Sequence, residues 1–140
     1  MTVNRQWLLA KRPDGMIGPD NFQYTETAIP EPGDGEVLVR NLYFSFDPTQ
    51  RNWMVDRPSY LPPVGIGEVM RAGSVGRVVN SNHADYAQGD LVQTTGCWQD
   101  YVLVAPGRGP LGVNVLPQGV SPELMLSALG ITGITAYFGL

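Results

Sequence analysis

The chain has 140 residues, of which 43% are hydrophobic and 16% are charged, and this composition excludes an intrinsically disordered chain. The formal net charge is −4, and eight of the nine basic residues are arginines scattered along the sequence, so nucleic-acid binding is not expected. A single cysteine and a single histidine exclude an internal disulfide and a zinc site built from several thiolates or imidazoles.

Short strands separated by proline and glycine turns dominate the first part of the chain. Segment 36–46 gives the strongest strand signal because it is rich in β-branched and aromatic residues, and Asp47-Pro48 ends it. Further strands are predicted over residues 3–10, 22–27, 91–94 and 98–104 and within the glycine-rich stretch 65–80. Six or more short strands at this spacing predict a mainly β fold, either a closed or a partly open barrel.

Residues 49–63 show no hydrophobic period and are expected to form a long loop with at most one helical turn. Loops of this length are usually functional or disordered. The aromatic residues Trp53 and Tyr60 argue against disorder here.

The pattern changes to helical at residue 121. Ser121 is the predicted N-cap and Pro122 the first helical residue, while Gly130 is expected to end this helix with a positive φ. Thr132 is expected to cap a second helix that runs to Leu140. Because that helix ends on apolar residues, we expect the chain to be cut at a domain boundary; the alternative is a helix that lies back on the barrel.

No segment has the features of a membrane or secreted protein. The longest apolar stretches fall short of the roughly 20 residues that a membrane helix needs. The apolar run over residues 7–10 is too short for a signal peptide. We therefore expect a soluble, cytoplasmic protein.

The residues themselves offer little metal or phosphate chemistry. His83 lies in a polar turn and Cys97 is expected to be a small buried side chain, so a Cys–His nucleophile pair is possible only if two lone residues meet. The glycines at 65 and 67 are followed by none until Gly73, so the dinucleotide-binding pattern G-x-G-x-x-G is not completed. Nothing in the sequence would hold a dinucleotide pyrophosphate by itself.

The densest group of polar side chains, residues 47–52, directly follows the strongest strand. A strand end delivers side chains to a rim, where binding sites are common. The alternative is a solvated loop start in which Asp47 bonds its own backbone. Composition alone favours this alternative.

The same segment nevertheless resembles a known family. The string LYFSFDPTQR, residues 42–51, is similar to the S-x-D-P-x-x-R segment of medium-chain dehydrogenase/reductases, in the branch of leukotriene B4 dehydrogenases, prostaglandin reductases and plant double-bond reductases. Segments 63–80, 96–101 and 128–140 agree with this branch in order and spacing. The resemblance extends over nearly the whole chain.

The resemblance implies a GroES-like catalytic domain over residues 1–120. Residues 121–140 would then be a helical linker into a Rossmann domain that the sequence lacks. The implied reaction is hydride transfer from NADPH to the β-carbon of an α,β-unsaturated ketone or aldehyde, as in 2-alkenal, enone or prostaglandin-type reductases. The isolated chain is expected neither to bind NADPH tightly nor to turn over. A non-catalytic, stand-alone GroES-like binding domain is the alternative.

Zinc-dependent members of the superfamily hold a catalytic zinc ion with three side chains. The matching positions here look like Asp47, Ile66 or Gly67, and Ile131. Only Asp47 could bind a metal, and one ligand does not make a zinc site. The resemblance therefore implies a zinc-independent enzyme.

The resemblance also implies site residues, although it assigns no catalytic residue. Thr49 stands where many relatives carry tyrosine, which implies a roomier and more polar pocket, and Arg51 would face the cofactor phosphates or pair with an acid such as Asp47. A small-molecule substrate is the expected partner, with a dimeric parent and a monomeric fragment. The expected substrate-binding residues are Thr49, Gln50, Tyr60 and Trp98, and the expected cofactor-binding residues are Arg51, Thr132 and Thr135.

Overall fold

The structure is a computed structural model that describes residues 2–107 and 112–140. Seven strands and three short helices are found along these residues. The strands are β1 (Asn4–Leu9), β2 (Phe22–Thr27), β3 (Val37–Phe44), β4 (Ser74–Ser81), β5 (Leu91–Thr94), β6 (Tyr101–Val104) and β7 (Asn114–Val115). The helices are α1 (Thr49–Trp53), α2 (Pro122–Met125) and α3 (Ile131–Gly139), and a 3₁₀ turn covers Pro19–Asn21.

The strands form two antiparallel sheets. One sheet contains β1 and β2, and the other has the strand order β6-β3-β4-β5-β7. The predicted mainly β class is confirmed, and of the two predicted forms the sheets take the open one rather than a closed barrel. The glycine-rich stretch becomes a strand only from Ser74, and the strand predicted from residue 98 begins at Tyr101.

The two sheets are joined along the open side of β1. The backbone of Gln6 bridges to Gln99. The Asn4 side chain, which is almost fully buried, donates to the Tyr101 carbonyl at 3.0 Å and accepts from the Tyr101 amide at 2.9 Å. Asn4 thereby satisfies the backbone groups that β6 would otherwise leave unpaired next to β1.

Apolar side chains form two clusters. The larger cluster includes Trp53, Met54 and Leu61, so the predicted loop over residues 49–63 is anchored in the core through α1 and the turns that follow it. This agrees with the expectation of a single helical turn and with the argument against disorder. Its other members are Leu9, Val64 and Met70, with Phe22 and Trp98 packed against it, and the second cluster consists of Val37, Val39, Val78 and Val92.

The helical end of the chain differs from its prediction in two respects. Ser121 is the N-cap of α2, but its side chain makes no capping hydrogen bond, and the helix already ends at Met125. Gly130 has a φ of −95° and is the N-cap of α3, so Thr132 lies inside the first turn of α3 instead of capping it. The glycine is needed for space, because a Cβ atom there would lie 2.5 Å from the Met125 carbonyl oxygen.

The side chains of α3 do not pack back on the sheets. Tyr137 and Phe138 are 78% and 81% exposed, and Ile131 is exposed as well. The exposure of these residues therefore contradicts the alternative in which this helix packs back on the strands. Among the described helices, none has the length and apolar character needed to cross a membrane.

Candidate functional site

The turn between β3 and α1 is held by a small hydrogen-bond network. The Ser45 hydroxyl donates to the Asp47 carboxylate at 2.5 Å, and the Ser45 amide donates to the Gly73 carbonyl at 2.8 Å. Gln50 is only 6% exposed, and its side-chain amide donates to the Ser45 carbonyl at 2.8 Å. The structure thus places the Gln50 side chain in the interior, where it fixes the turn that carries Asp47 and Thr49.

Two of the expected substrate-binding residues, Thr49 and Tyr60, are in contact beside this turn. The hydroxyls of Thr49 and Tyr60 lie 2.5 Å apart, although the residues are 11 positions apart in the sequence. Tyr60 is 70% exposed and its ring packs edge-on against Trp53 at a centroid distance of 6.5 Å. The pair therefore presents hydroxyl groups at the surface on a base that is anchored in the core.

Trp98 belongs to a group of aromatic side chains beside the same turn. Its ring centroid lies 5.2 Å from Phe22, 5.3 Å from Phe46 and 6.4 Å from Phe44. These four residues are called the aromatic wall below. Phe46 is 74% exposed, so the wall offers solvent an apolar surface made of rings that are tilted against one another.

A cleft of about 370 Å³ lies between the end of β3 and the helices α2 and α3. We call it the β3–α2 cleft. Of the expected site residues, only Thr132 lines it; the Thr135 hydroxyl donates to the Ile131 carbonyl of its own helix at 2.8 Å. The cleft is lined by Tyr43, Phe44, Ser45, Phe46, Asp47, Glu123, Leu126, Ser127 and Thr132.

The charged groups of this cleft are acidic. The Tyr43 phenol hydrogen-bonds Glu123, which raises the pKa of Tyr43 and lowers the pKa of the Glu123 carboxyl. Sequence reasoning missed Ser45, Phe46 and Glu123 as site residues. The S-x-D-P string contains the first two, but no local signal points from β3 to Glu123.

A second cleft, of about 430 Å³, lies beside β6 and contains Arg5, Arg40 and Asp100. Arg5 and Asp100 form an ion pair at 2.6 Å there, and the hydrogen bond from Arg5 lowers the pKa of Asp100. None of the expected site residues lines this cleft. Although it is the larger of the two clefts, it contains none of the expected site residues and shares only Phe44 with the β3–α2 cleft, so we take the β3–α2 cleft and the Thr49–Tyr60 pair as the candidate site.

Arg51 does not pair with Asp47. Its guanidinium donates to the Gly15 carbonyl at 3.1 Å, because α1 directs it toward the turn after β1. In the part of the chain that the structure describes, no three His, Cys, Asp or Glu side chains come together closely enough to hold a metal ion.

Cys97 and His83 have separate environments. The Cys97 thiol lies 3.7 Å from the Thr95 carbonyl, and burial raises its pKa, which disfavours the nucleophilic thiolate. The His83 ring packs against Tyr86 and accepts a hydrogen bond from the Asp85 amide. The Cys–His nucleophile pair considered from the sequence is therefore not formed.

Comparison with known proteins gives consistent matches. A family model described as the N-terminal domain of oxidoreductase matches residues 5–111. The chain is 47% identical over 137 residues to the NADPH-dependent curcumin reductase of Escherichia coli (strain K12), covering 98% of this chain and 39% of that protein. It is 30% identical over 141 residues to prostaglandin reductase 1 of Mus musculus, covering 100% of this chain and 40% of that protein.

Solved structures agree with this result. The crystal structure of CurA from Vibrio vulnificus matches with a TM-score of 0.86 and 44% identity, over 98% of this chain and 40% of that one. The same protein in complex with NADPH matches with a TM-score of 0.85 and 42% identity, over 97% and 40% of the two chains. This chain spans about two fifths of the length of the curated relatives it matches.

Proposed function

Since the chain belongs to the family of N-terminal oxidoreductase domains within the medium-chain dehydrogenase/reductase superfamily, we propose that it is the substrate-binding part of a zinc-independent, NADPH-dependent double-bond reductase. The substrate is an α,β-unsaturated ketone or aldehyde, and hydride is added at its β-carbon. The observation that carries this proposal is the Thr49–Tyr60 hydroxyl pair together with the exposed aromatic wall, because Thr49 of the pair and Phe46 of the wall are held by the same turn between β3 and α1.

The proposed reaction needs an apolar support for the alkene and a hydrogen-bond donor for the carbonyl oxygen, which becomes negatively charged as the enolate forms. The aromatic wall supplies the first. The Thr49–Tyr60 pair supplies the second, because one of the two hydroxyls can accept from the other while it donates to the substrate. The proton for the α-carbon comes from solvent or from a hydroxyl. NADPH, when bound, supplies the hydride.

The described residues fit only one end of such a cofactor. The β3–α2 cleft has aromatic lining and enough room for an aromatic ring, and Thr132 lies in it. The side chains of Arg51 and Thr135 are engaged with backbone carbonyls, and the sequence has no glycine-rich phosphate turn. We therefore keep residues 1–120 as the substrate domain and residues 121–140 as the segment leading into a nucleotide-binding domain, which the greater length of the relatives supports.

Thr49 sets the expected substrate preference. A threonine leaves more room beside Tyr60 than a tyrosine would, and its hydroxyl makes this room polar. We propose that the pocket accepts bulkier or more polar carbonyl substrates than that of relatives with tyrosine here. We further propose a cytoplasmic location, a homodimeric parent and a monomeric isolated chain.

The direct test is a titration of the chain with trans-4-phenyl-3-buten-2-one, followed by ¹⁵N NMR. Shifts are expected at Thr49, Tyr60 and Trp98, and Tyr60→Phe is expected to weaken binding by about two- to tenfold, because it removes one hydrogen bond. Tyr24→Phe, an exposed tyrosine on β2, is the matched control and is expected to change nothing. Shifts that avoid the Thr49–Tyr60 pair, or equal effects of both variants, contradict the proposed substrate site.

A second titration, with NADPH, tests the proposal that this chain binds the substrate and that a further domain binds the nucleotide. The chain is expected to show no micromolar affinity, since it contains no phosphate-binding turn. Micromolar binding by the 140-residue chain would mean that the cofactor site has been assigned to the wrong part of the protein. The reaction itself is then tested in a longer parent protein. Its reductase activity is measured with a panel of enones, and the rates with NADPH and with NADH are compared.

A further inference from the structure

Tyr60 lies in a segment that has few backbone groups with which to hold itself in place. Residues 56–60 are all exposed and form neither helix nor strand. Pro58, Pro62 and Pro63 have no backbone N–H and cannot donate a hydrogen bond to a neighbouring segment. The position of the Tyr60 ring therefore depends on groups from elsewhere in the fold that contact this segment.

Arg71 is such a group. Its guanidinium donates to the Pro62 carbonyl, two residues after Tyr60, at 2.8 Å. The same guanidinium lies over the Trp53 ring, 5.2 Å from the ring centroid, which is within the range of a cation–π contact. The Tyr60 ring packs edge-on against Trp53. One side chain thus joins the loop beyond Tyr60 to the ring against which Tyr60 packs.

The backbone that carries Arg71 is firmly held. Arg71 itself is half-buried, and its neighbours Met70 and Ala72 are fully buried. The Met70 amide donates to the Trp7 carbonyl at 2.9 Å, and the Met70 carbonyl accepts from the Trp98 amide at 2.8 Å. The guanidinium therefore extends from a fixed base toward the loop that contains Tyr60.

We propose that Arg71 is a positioning residue that holds the Tyr60 hydroxyl against that of Thr49 and thereby raises the affinity for the carbonyl substrate. Arg71 acts through Tyr60 and does not touch the substrate. The effect on affinity rests on the proposed function, because it requires the Thr49–Tyr60 pair to bind the carbonyl oxygen. The position of Tyr60 does not require this and can be measured in the free chain.

Two variants of Arg71 and one matched control test the position of Tyr60 without ligand. Arg71→Met keeps the length of the side chain but removes its charge and its donor, whereas Arg71→Lys keeps both. Arg77→Met is the control, because Arg77 on β4 also donates to a backbone carbonyl at 2.8 Å, that of Gly89, instead of to the loop of Tyr60. Thermal unfolding shows that each variant is folded.

The heteronuclear ¹H–¹⁵N NOE at residues 59–61 reports how firmly the loop is held on the fast timescale. These NOE values are expected to fall in Arg71→Met, to be largely restored in Arg71→Lys and to stay at the wild-type level in Arg77→Met.

Titration with trans-4-phenyl-3-buten-2-one measures the effect on affinity. Arg71→Met is expected to weaken binding by about two- to fivefold, because the Tyr60 hydroxyl is still present but is less well placed. The double variant with Tyr60→Phe is expected to bind as tightly as Tyr60→Phe alone, since Arg71 acts only through that hydroxyl. A general loss of packing would instead weaken binding in both backgrounds.

Unchanged NOE values in Arg71→Met overturn the inference, and so does a fall of equal size in Arg77→Met. Additive losses of affinity in the double variant also overturn it, because Arg71 would then act independently of Tyr60. An enone that fails to bind the wild-type chain at Thr49 and Tyr60 contradicts the proposed function instead. In that case the NOE values of the free chain still decide whether Arg71 holds Tyr60.

Discussion

Replacing Gln50 by leucine tests whether this side chain fixes the turn that carries the candidate site. Leucine keeps most of the buried volume but removes the donor to the Ser45 carbonyl, a hydrogen bond of 2.8 Å. An acceptor left without its donor in a partly buried place costs about 1–3 kcal/mol. Gln50→Ala also removes one buried methylene group, worth about 0.8 kcal/mol, so its total loss is expected to be about 2–4 kcal/mol.

Urea denaturation monitored by tryptophan fluorescence measures these losses. The midpoint is expected to fall while the slope m stays constant, which indicates lower stability without a change in the unfolding reaction. Gln23→Leu, at an exposed position of β2, is the control and is expected to stay within about 0.5 kcal/mol of the wild type. A Gln50→Leu protein as stable as this control would refute the idea that Gln50 holds the turn.

Three further outcomes are expected. The hydrogen bond from Arg5 lowers the pKa of Asp100, so the carboxylate stabilises the fold above its unfolded pKa of about 3.9 and loses this contribution as the pH falls through the lower folded pKa. Asp100→Asn is therefore expected to reduce the drop in melting temperature that acid causes. An unchanged drop would contradict the ion pair with Arg5. A Cβ on Gly76 would lie 2.5 Å from the Arg40 carbonyl oxygen, so Gly76→Ala is expected to lose about 1–3 kcal/mol in urea melts, whereas Gly112→Ala, whose Cβ would lie 3.7 Å from its nearest neighbour, should match the wild type. Because burial raises the pKa of the Cys97 thiol, iodoacetamide is expected to alkylate the native chain more slowly than the unfolded chain at pH 7.5; faster native alkylation would restore a nucleophilic role for Cys97.

The sequence predicted those features that depend on neighbouring residues. Strand β2 has the predicted bounds, and β3 lies within its predicted segment, because β-branched and aromatic residues and the flanking turns act locally. The prediction that Gly130 ends a helix with a positive φ is wrong, because the preceding helix is shorter than its pattern indicates. The rule assumes that a glycine after a helical pattern ends that helix, whereas α2 already ends at Met125 and the chain then turns so tightly into α3 that a Cβ on Gly130 would meet the Met125 carbonyl.

The candidate site shows the same limit. All of residues 47–52 except Pro48 are polar, so nothing in the sequence distinguishes Gln50, which folding buries, from Thr49, which reaches the surface. The contact of Thr49 with Tyr60 depends on how the loop returns over Trp53. Likewise, Glu123 joins the cleft only because α2 packs beside β3, which no local pattern encodes.

The seam between β1 and the start of β6 has a consequence for biosynthesis. Asn4, Arg5 and Gln6 find their partners 93 to 97 positions later. At a typical rate of chain elongation, roughly 5–20 seconds separate the synthesis of the two halves of this seam. Residues 67–70 cover the end of β1 earlier, but its first residues stay open to misplaced strand partners throughout that interval.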